Sequence, residues 1–237
     1  MAAPFFYQIK MNILIAGASS GIGANAKALC EEKGWTVYTA GRKEVSGAGH
    51  LHFDARHPEI QIPADWPDVF HGILYCPGTI NLKPITRLTR EDFLDDYQVN
   101  VLGFVSLFQA FLPRLKKANG ASVVAFSTVA AQVGIGFHAS IAAAKGALQA
   151  LGQSLAAEFA ASRIRVNIIS PSLTETPLAE SLLNSPEKKE ASAKRHPLQS
   201  IGSADDMAKA ALFFLSPDSG WITAQNLVID GGMSKIR

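Results

Sequence analysis

Residues 126–145, FSTVAAQVGIGFHASIAAAK, hold the side chains whose types and spacing indicate proton chemistry. Thr128 carries a hydroxyl, His138 an imidazole and Lys145 an amine, and each can donate a hydrogen bond. Residues four apart on a helix share a face, which places Ile141 beside Lys145. An ionisable hydroxyl at that position would pass a proton to a bound molecule, whereas a hydrocarbon cannot. The spacing therefore predicts a polar site with a hydrocarbon side chain beside its lysine.

Three glycines lie at the turn from the first predicted strand to the first predicted helix. They have the form G-x-x-x-G-x-G, after the β-branched run NILIAG and before ANAKALCEEK. Glycines allow a tight turn and a close approach of the backbone to a pyrophosphate, and the amides of a helix N-terminus face its charge. Between a strand and a helix, this pattern predicts a dinucleotide site. The predicted binding loop comprises Gly17, Ser19, Ser20, Gly21, Ile22 and Gly23.

The ends of the next two predicted strands indicate which dinucleotide binds. A free ribose 2′-hydroxyl favours an acidic residue about 20 positions after the glycines, but the sequence there is Ala40-Gly41-Arg42-Lys43. Arg42 is suited to a 2′-phosphate, because a guanidinium binds phosphate through paired hydrogen bonds. We therefore predict NADP(H), against the alternative that Arg42 is a solvated loop cation. Asp54 would accept a hydrogen bond from the adenine amino group, or would serve as an ordinary turn residue.

Strand-like and helix-like segments alternate along the chain. They predict an α/β fold, a doubly wound parallel seven-stranded sheet (Rossmann fold) with helices on both faces. Thr89 with Asp92 has the spacing of a capping box, which would open one long helix running through Lys117. Ser203 with Asp206 has the same spacing, and prolines after the third strand predict an irregular crossover. The predicted strands are 12–17, 36–40, 50–54, 71–75, 121–127, 164–170 and 226–230.

Composition and charge argue against several classes of function. The net charge of +2 is small for 237 residues, which argues against a nucleic-acid partner. No apolar stretch reaches the roughly 20 residues that span a bilayer. Cys30 and Cys76 show no metal-ligand or disulfide spacing, so we predict no metal site and a cytoplasmic location. Residues 1–10 are interpreted as a short extension rather than a signal peptide, and residues 11–237 as a single domain.

The chain resembles the short-chain dehydrogenase/reductase family over essentially all of residues 11–237. Beyond the glycine loop, the matching motifs occur in the family's order. They are Asp54, Tyr75-Cys76-Pro77-Gly78, Asn100 in QVNVLG, Thr128, Lys145, Pro171-Ser172-Leu173-Thr174-Glu175-Thr176 and the tail WITAQNLVIDGGMS. The resemblance implies that the cofactor site also includes Gly78, Asn100, Lys145, Pro171, Thr174 and Thr176.

The resemblance also implies catalytic roles and one loss. In the family, a tyrosine four residues before the lysine protonates the carbonyl oxygen, and the lysine binds the nicotinamide ribose. A serine holds the substrate oxygen, and an asparagine supports a water relay. Asn100 and Lys145 match, Thr128 keeps a hydroxyl in the serine's place, and Ile141 replaces the tyrosine. The chain is therefore identified as an atypical member that lacks the catalytic tyrosine, and Ser172 in place of a glycine is a further departure.

His138 is the predicted substitute for the missing donor. It lies seven residues before Lys145, as a tyrosine does in the family's divergent enoyl reductases, and one helical turn before Ile141. An imidazole titrates near neutral pH and would serve as an acid; alternatively, His138 only caps the helix or packs in the preceding loop. The resemblance further implies a substrate lid at about 176–200 and a homodimer or homotetramer.

Three functions remain open from the sequence. The first is an NADP(H)-dependent oxidoreductase that transfers hydride to a small-molecule carbonyl or enone, with Asn100, Thr128, Lys145 and His138 as its catalytic residues. The second is a catalytically impaired NADP(H)-binding homologue that acts as a sensor or partner subunit. The third is a dehydratase or isomerase that reuses the fold without net redox change. None of the three requires a membrane or a nucleic acid.

Overall fold

The computed structural model describes residues 10–236, so the predicted extension at 1–10 lies almost entirely outside the described residues. Seven strands form one sheet, and each neighbouring pair in it is parallel. The strands are β1 (Asn12–Ala16), β2 (Thr36–Gly41), β3 (Gly49–His52), β4 (Gly72–Tyr75), β5 (Ala121–Phe126), β6 (Ile164–Pro171) and β9 (Asn226–Ile229). Two short strands, β7 (Thr174–Glu175) and β8 (Gly202–Ser203), pair separately.

Helices cover both faces of the sheet. They are α1 (Gly21–Glu32), α2 (Arg90–Tyr97), α3 (Gly103–Lys117), α4 (Ala139–Phe159), α5 (Pro186–Ala193) and α6 (Ala204–Leu215). Successive strand side chains point to opposite faces. In β1, Leu14 packs in the cluster that holds Leu107 of α3 and Leu148 of α4, whereas Ile15 packs in the cluster that holds Cys30 of α1. The predicted Rossmann fold is confirmed, and its two covered faces explain why β1 is apolar from Ile13 to Ala16.

The predicted long helix after Thr89 is interrupted, so its continuity was predicted wrongly. The capping box is present, because Thr89 and Asp92 bond each other's backbone amides. However, a π-helical turn at Gln98–Leu102 separates α2 from α3. The Asn100 Nδ2 donates to the carbonyl of Asp96 at 2.7 Å, the acceptor that an α-helix gives to the backbone amide of residue 100. The side chain thus competes with the helical ladder, a common origin of such turns near functional sites.

The structure also contains the second predicted capping box and the predicted irregular crossover. The second capping box opens α6 at Ser203, and no helix occurs between β3 and β4, as the prolines there predicted. The third strand ends at His52, two residues earlier than expected. Among the residues 10–236, no helix combines the length and the apolar character needed to cross a bilayer.

The sheet reverses its direction of growth between β1 and β4. The strand order is β3-β2-β1-β4-β5-β6-β9, so the chain builds outward from β1 on one side and from β4 on the other. Open parallel sheets bind ligands in the crevice at the carboxyl ends of the strands beside such a reversal. The loops that follow β1, β4, β5 and β6 are therefore the places to look for a site.

Candidate functional site

The loop after β1 is shaped by its glycines. Gly17 and Gly21 have φ angles of +79° and +54°, in the left-handed region that side chains rarely adopt. A Cβ on Gly23 would stand 2.2 Å from the carbonyl oxygen of Gly17, so only glycine fits where α1 meets the loop. Ser19 and Ser20 are exposed on the same loop. The result is a backbone cradle at a helix N-terminus, which suits an anionic ligand.

A cavity of about 350 Å³ lies at the carboxyl ends of the central strands. Its wall brings together residues that are far apart in the sequence, from the glycine loop to the C-terminal region. Of the predicted site residues, it contains Ile22, Gly78, Thr128, His138, Lys145, Pro171, Thr174 and Thr176. The remaining wall is mainly apolar, with Ile80, Leu82, Val129, Ile135, Ile141, Leu178 and Leu182 among its members.

Lys145 is a buried amine at the wall of this cavity. It is 6% exposed, and its Nζ donates to the carbonyl of Phe126 at the end of β5, at 2.6 Å. Ser127 Oγ donates to the Lys145 carbonyl at 3.0 Å, which ties α4 to the end of β5. Burial lowers the pKa of Lys145 to about 8, although Cys76 and Asp96 oppose the shift.

We expect wild type to gain stability relative to Lys145→Met as the pH rises from about 8 to 10.5. The pKa of Lys145 is lowered from 10.5 to about 8 by burial, so the unfolded chain binds more protons than the folded chain between these values. Below that window the buried charge costs stability, and the cost disappears as the amine loses its proton. Urea unfolding of both proteins across this range measures the effect. A free-energy difference that stays constant with pH would contradict it.

Asn100 and Lys145 both lie next to Gly78. A Cβ on Gly78 would lie 3.4 Å from Asn100 Oδ1 and 3.5 Å from Lys145 Nζ. The Asn100 Nδ2 donates to Asp96 and also to Thr79 Oγ1, at 3.0 Å. Its Oδ1 is buried and has no hydrogen-bond partner among residues 10–236. A buried acceptor without a partner costs free energy, so this atom is suited to a hydroxyl of a bound ligand.

Three predicted residues define the wall where a proton would be transferred. Ile141 is 5% exposed and lines the cavity from the first turn of α4. Thr128 Oγ1 accepts from the amide of Ala130 at 3.2 Å, which leaves its hydroxyl proton free to donate. His138 is the N-cap residue of α4 but makes no side-chain cap; its Nδ1 lies 2.7 Å from the carbonyl of Gly136. A carbonyl only accepts, so Nδ1 carries the proton and Nε2 is left open.

The described tyrosines do not reach this wall. Tyr75 is buried, its hydroxyl donates to the carbonyl of Val99 at 2.6 Å, and burial raises its pKa far above the ordinary value. Tyr38 packs against Trp66, and Tyr97 lies 42% exposed in a separate groove beside α4. Within residues 10–236, no tyrosine lines the cavity.

Arg42 and Asp54 lie outside the cavity, after the ends of β2 and β3. The Gly17 amide donates to the carbonyl of Ala40 at 2.8 Å, which holds the end of β2 against the loop. Arg42 follows this strand, is exposed and forms no ion pair with any residue from 10 to 236. Asp54 follows β3, and its Oδ1 accepts from the amide of Arg56 at 3.0 Å, which is the turn role that the sequence also allowed.

Several side chains at the site were not foreseen. Thr79 lines the cavity and its hydroxyl donates to Asp96, a carboxylate only 1% exposed. Asp96 lies four residues before Asn100, one helical turn away, which is the signal that would have drawn attention to it. Ser172, which lines the cavity, contacts the buried His196, and no local pattern indicated that contact.

The sequence of the chain is similar to those of known proteins. A family profile described as "Enoyl-(Acyl carrier protein) reductase" matches residues 60–234. A tropinone reductase homologue of Arabidopsis thaliana is 31% identical, over 94% of this chain and 93% of its own length.

Solved structures share the fold at lower identity. The aldohexose dehydrogenase of Thermoplasma acidophilum, in ligand-free form, has a TM-score of 0.86 at 22% identity and covers 97% of this chain and 96% of its own. ElxO with NADP bound has a TM-score of 0.84 at 20% identity and covers 96% of this chain and 100% of its own. At these identities the likeness concerns the fold alone.

Proposed function

We infer the function of this chain from an established premise: it belongs to the short-chain dehydrogenase/reductase family. Members are oxidoreductases that bind nicotinamide cofactors and act on small molecules. We propose an NADP(H)-dependent oxidoreductase that reduces a carbonyl or a conjugated carbon–carbon double bond with a proton donor other than tyrosine. The observation that carries the proposal is the cavity whose wall contains Thr128, Ile141 and Lys145, with Asn100 buried next to Gly78 of the same wall.

The residues present fit a nicotinamide dinucleotide. The glycine cradle would hold the pyrophosphate, Arg42 the 2′-phosphate and Asp54 the adenine. Asn100 Oδ1, buried without a partner among residues 10–236, and the amine of Lys145 would hold the nicotinamide ribose. The loop after β6, with Pro171, Thr174 and Thr176, would contact the nicotinamide end. When bound, the nicotinamide supplies a hydride. The NADP bound to ElxO supports the choice of a phosphorylated cofactor for this fold.

The residues of the chain then do three things for the substrate. Thr128 donates a hydrogen bond from its free hydroxyl to the substrate oxygen. Ile141 and the leucines of the wall exclude water from the reacting carbon, which strengthens each polar contact inside the cavity. His138, held by Gly136 through Nδ1, presents Nε2 to the cavity and donates a proton from it when the ring is protonated. A conjugated substrate suits this arrangement, because Thr128 then only polarises the substrate oxygen and His138 supplies the one proton that the resulting enolate takes up.

The second candidate function is a catalytically impaired NADP(H)-binding homologue. It is favoured by the side chain of Ile141, a hydrocarbon at the position where the family has its acidic tyrosine. No tyrosine from the described part of the chain lines the cavity in its place. Positioned acid catalysis contributes about 10²–10⁴-fold to a rate. A chain that only binds the cofactor would keep the glycine cradle and Lys145 and would lose turnover.

Replacing His138 by alanine tests its role as the acid. We expect turnover of an activated enone to fall about 10²-fold or more, with NADPH affinity unchanged, because His138 lies outside the glycine cradle. NADPH oxidation gives the rate and a fluorescence titration gives the affinity. His57→Ala, an exposed histidine on the loop after β3, is the matched control. Unchanged turnover in His138→Ala would refute the role.

The remaining features are part of the same proposal. Residues 176–200, with α5, would form the substrate lid of a single domain at 11–237; Leu178 and Leu182 already line the cavity. A homodimer or homotetramer would pair through the groove between α2 and α4, where Leu94 and Tyr97 are exposed. The thiols of Cys30 and Cys76, free within the described chain, support a reducing, cytoplasmic location.

A further inference from the structure

Ser172, on the wall of the cavity, forms a hydrogen bond with His196, which is buried behind it. Ser172 directly follows β6 and lines the cavity. Its Oγ lies 2.7 Å from Nε2 of His196, which is only 2% exposed. The two residues are 24 apart in the sequence, so the fold creates the pair. Nothing in the proposed reduction uses it.

A backbone carbonyl fixes the tautomer of His196. Its Nδ1 lies 2.8 Å from the carbonyl oxygen of Ser192, at the end of α5. Because a carbonyl only accepts, Nδ1 carries the proton and the neutral ring has its lone pair on Nε2. The Ser172 hydroxyl therefore donates to Nε2. In an activated nucleophile, the hydroxyl donates to one imidazole nitrogen while a hydrogen bond at the other nitrogen orients the ring, and this pair has the same arrangement.

Two charged groups complete the surroundings of the pair. Burial acts to raise the pKa of Asp230, but hydrogen bonds from Ser234 and Gly232 and the nearby His196 lower it overall, so the carboxylate stays charged. A negative charge near His196 stabilises the imidazolium that forms when the ring accepts a proton. Arg195 also lines the cavity, and a guanidinium there stabilises an oxyanion.

We propose that Ser172 is a nucleophile, that His196 is its general base, and that the pair hydrolyses carboxylic esters with short aliphatic acyl groups. Ser172 Oγ bonds to the ester carbonyl carbon while its proton passes to His196 Nε2, and the carbonyl oxygen becomes an oxyanion near Arg195. The carbon–oxygen bond to the alcohol then breaks, and Nε2 protonates the leaving alkoxide. Water attacks the acyl carbon, its proton passes through Nε2 to Ser172 Oγ, and a carboxylic acid leaves.

The apolar wall sets the class of ester. Ile141, Leu178 and Leu182 line the same cavity as Ser172, and an aliphatic acyl chain would bury its surface against them. The reaction involves no change of oxidation state and needs only water as co-reactant. It is therefore a second activity of the cavity, and it runs without a nucleotide.

A fluorophosphonate and p-nitrophenyl butyrate test the proposal on the full chain without added nucleotide. We expect peptide mass spectrometry to find the phosphonate adduct on Ser172, and we expect the wild type to release p-nitrophenolate about 10²-fold faster than Ser172→Gly. Ser172→Gly removes the nucleophile and restores the residue that the family motif has. Thr128 is an internal control, because its hydroxyl lines the same cavity without a histidine behind it and should stay unlabelled.

His196→Gln removes the base and should lower both labelling and hydrolysis about 10²-fold. The midpoint of thermal unfolding shows whether the variants are folded. If His196→Gln does not fold, the test rests on the hydrolysis rate of Ser172→Gly and on which residue carries the adduct. Hydrolysis no faster than that of Ser172→Gly, an adduct on another residue, or full activity in a folded His196→Gln would each overturn the proposal. NADPH oxidation is measured separately, so a failure here is distinguishable from a failure of the proposed reductase.

Discussion

Replacing Ile141 by tyrosine should raise the rate of NADPH-dependent ketone reduction about 10²–10⁴-fold above that of the wild type. Ile141 faces the cavity one helical turn before Lys145, on the same side of α4. A phenol there would lie near the lysine amine, whose positive charge would lower the phenol's pKa and make it a better acid. The rate is measured as NADPH oxidation with a broad panel of ketones.

Ile141→Phe is the matched control for that variant. Phenylalanine brings the same ring without the hydroxyl, so it separates the supply of a proton from the filling of the cavity. We expect Ile141→Phe to remain at or below the wild-type rate. If Ile141→Tyr folds, binds NADPH and is still no faster than Ile141→Phe, the missing proton is not what limits carbonyl reduction.

Replacing Arg42 by alanine should weaken NADPH binding about 10–100-fold, the range expected for lost hydrogen bonds to a charged phosphate. NADH lacks the 2′-phosphate, so its affinity should change little. The exposed guanidinium follows β2, whose end is held against the glycine loop by the bond from Gly17 to Ala40. Arg42 forms no ion pair with a carboxylate among residues 10–236, which leaves its guanidinium available to a ligand.

Titrations of NADPH and NADH by fluorescence measure both affinities. Lys43→Ala, at the next position and also exposed, serves as the control for a general loss of positive charge. Equal losses of affinity for the two nucleotides in Arg42→Ala would remove the assignment of NADP(H). If Lys43→Ala lowers the affinity for NADPH as much as Arg42→Ala does, the loss reflects general electrostatic attraction by positive surface charge rather than a contact with the 2′-phosphate.

The fold was largely predictable because its strands are buried on both faces. Leu14 and Ile15 are neighbours that pack on opposite faces, so β1 is apolar from Ile13 to Ala16, and the glycine that follows it marks the turn. Capping boxes were also readable, because both partners lie three residues apart. The π-helical turn was not, because the apolar spacing continues through it. The π-helical turn depends on a hydrogen bond from the Asn100 side chain to the Asp96 carbonyl, and the spacing of apolar residues does not indicate such a bond.

The site was predictable where its residues lie in one motif and not where the fold alone brings them together. Ile141 and Lys145 share a helix face, so their position on one cavity wall followed from their spacing. The contact between Ser172 and His196 joins the end of β6 to the segment after α5, and it has no signature in the sequence. The burial of Asp96 likewise depends on the packing of α2 against the rest of the fold.

NADPH oxidation by the wild-type chain, with parallel panels of ketones and conjugated enones, decides whether the cavity is a working reductase site without a tyrosine. We expect oxidation with at least one enone, a product that carries the transferred hydride, and much slower turnover of simple ketones. The contradicting result is a wild-type chain that binds NADPH but oxidises it no faster than buffer with every member of both panels. That result would exclude the proposed reductase and favour the catalytically impaired NADP(H)-binding homologue.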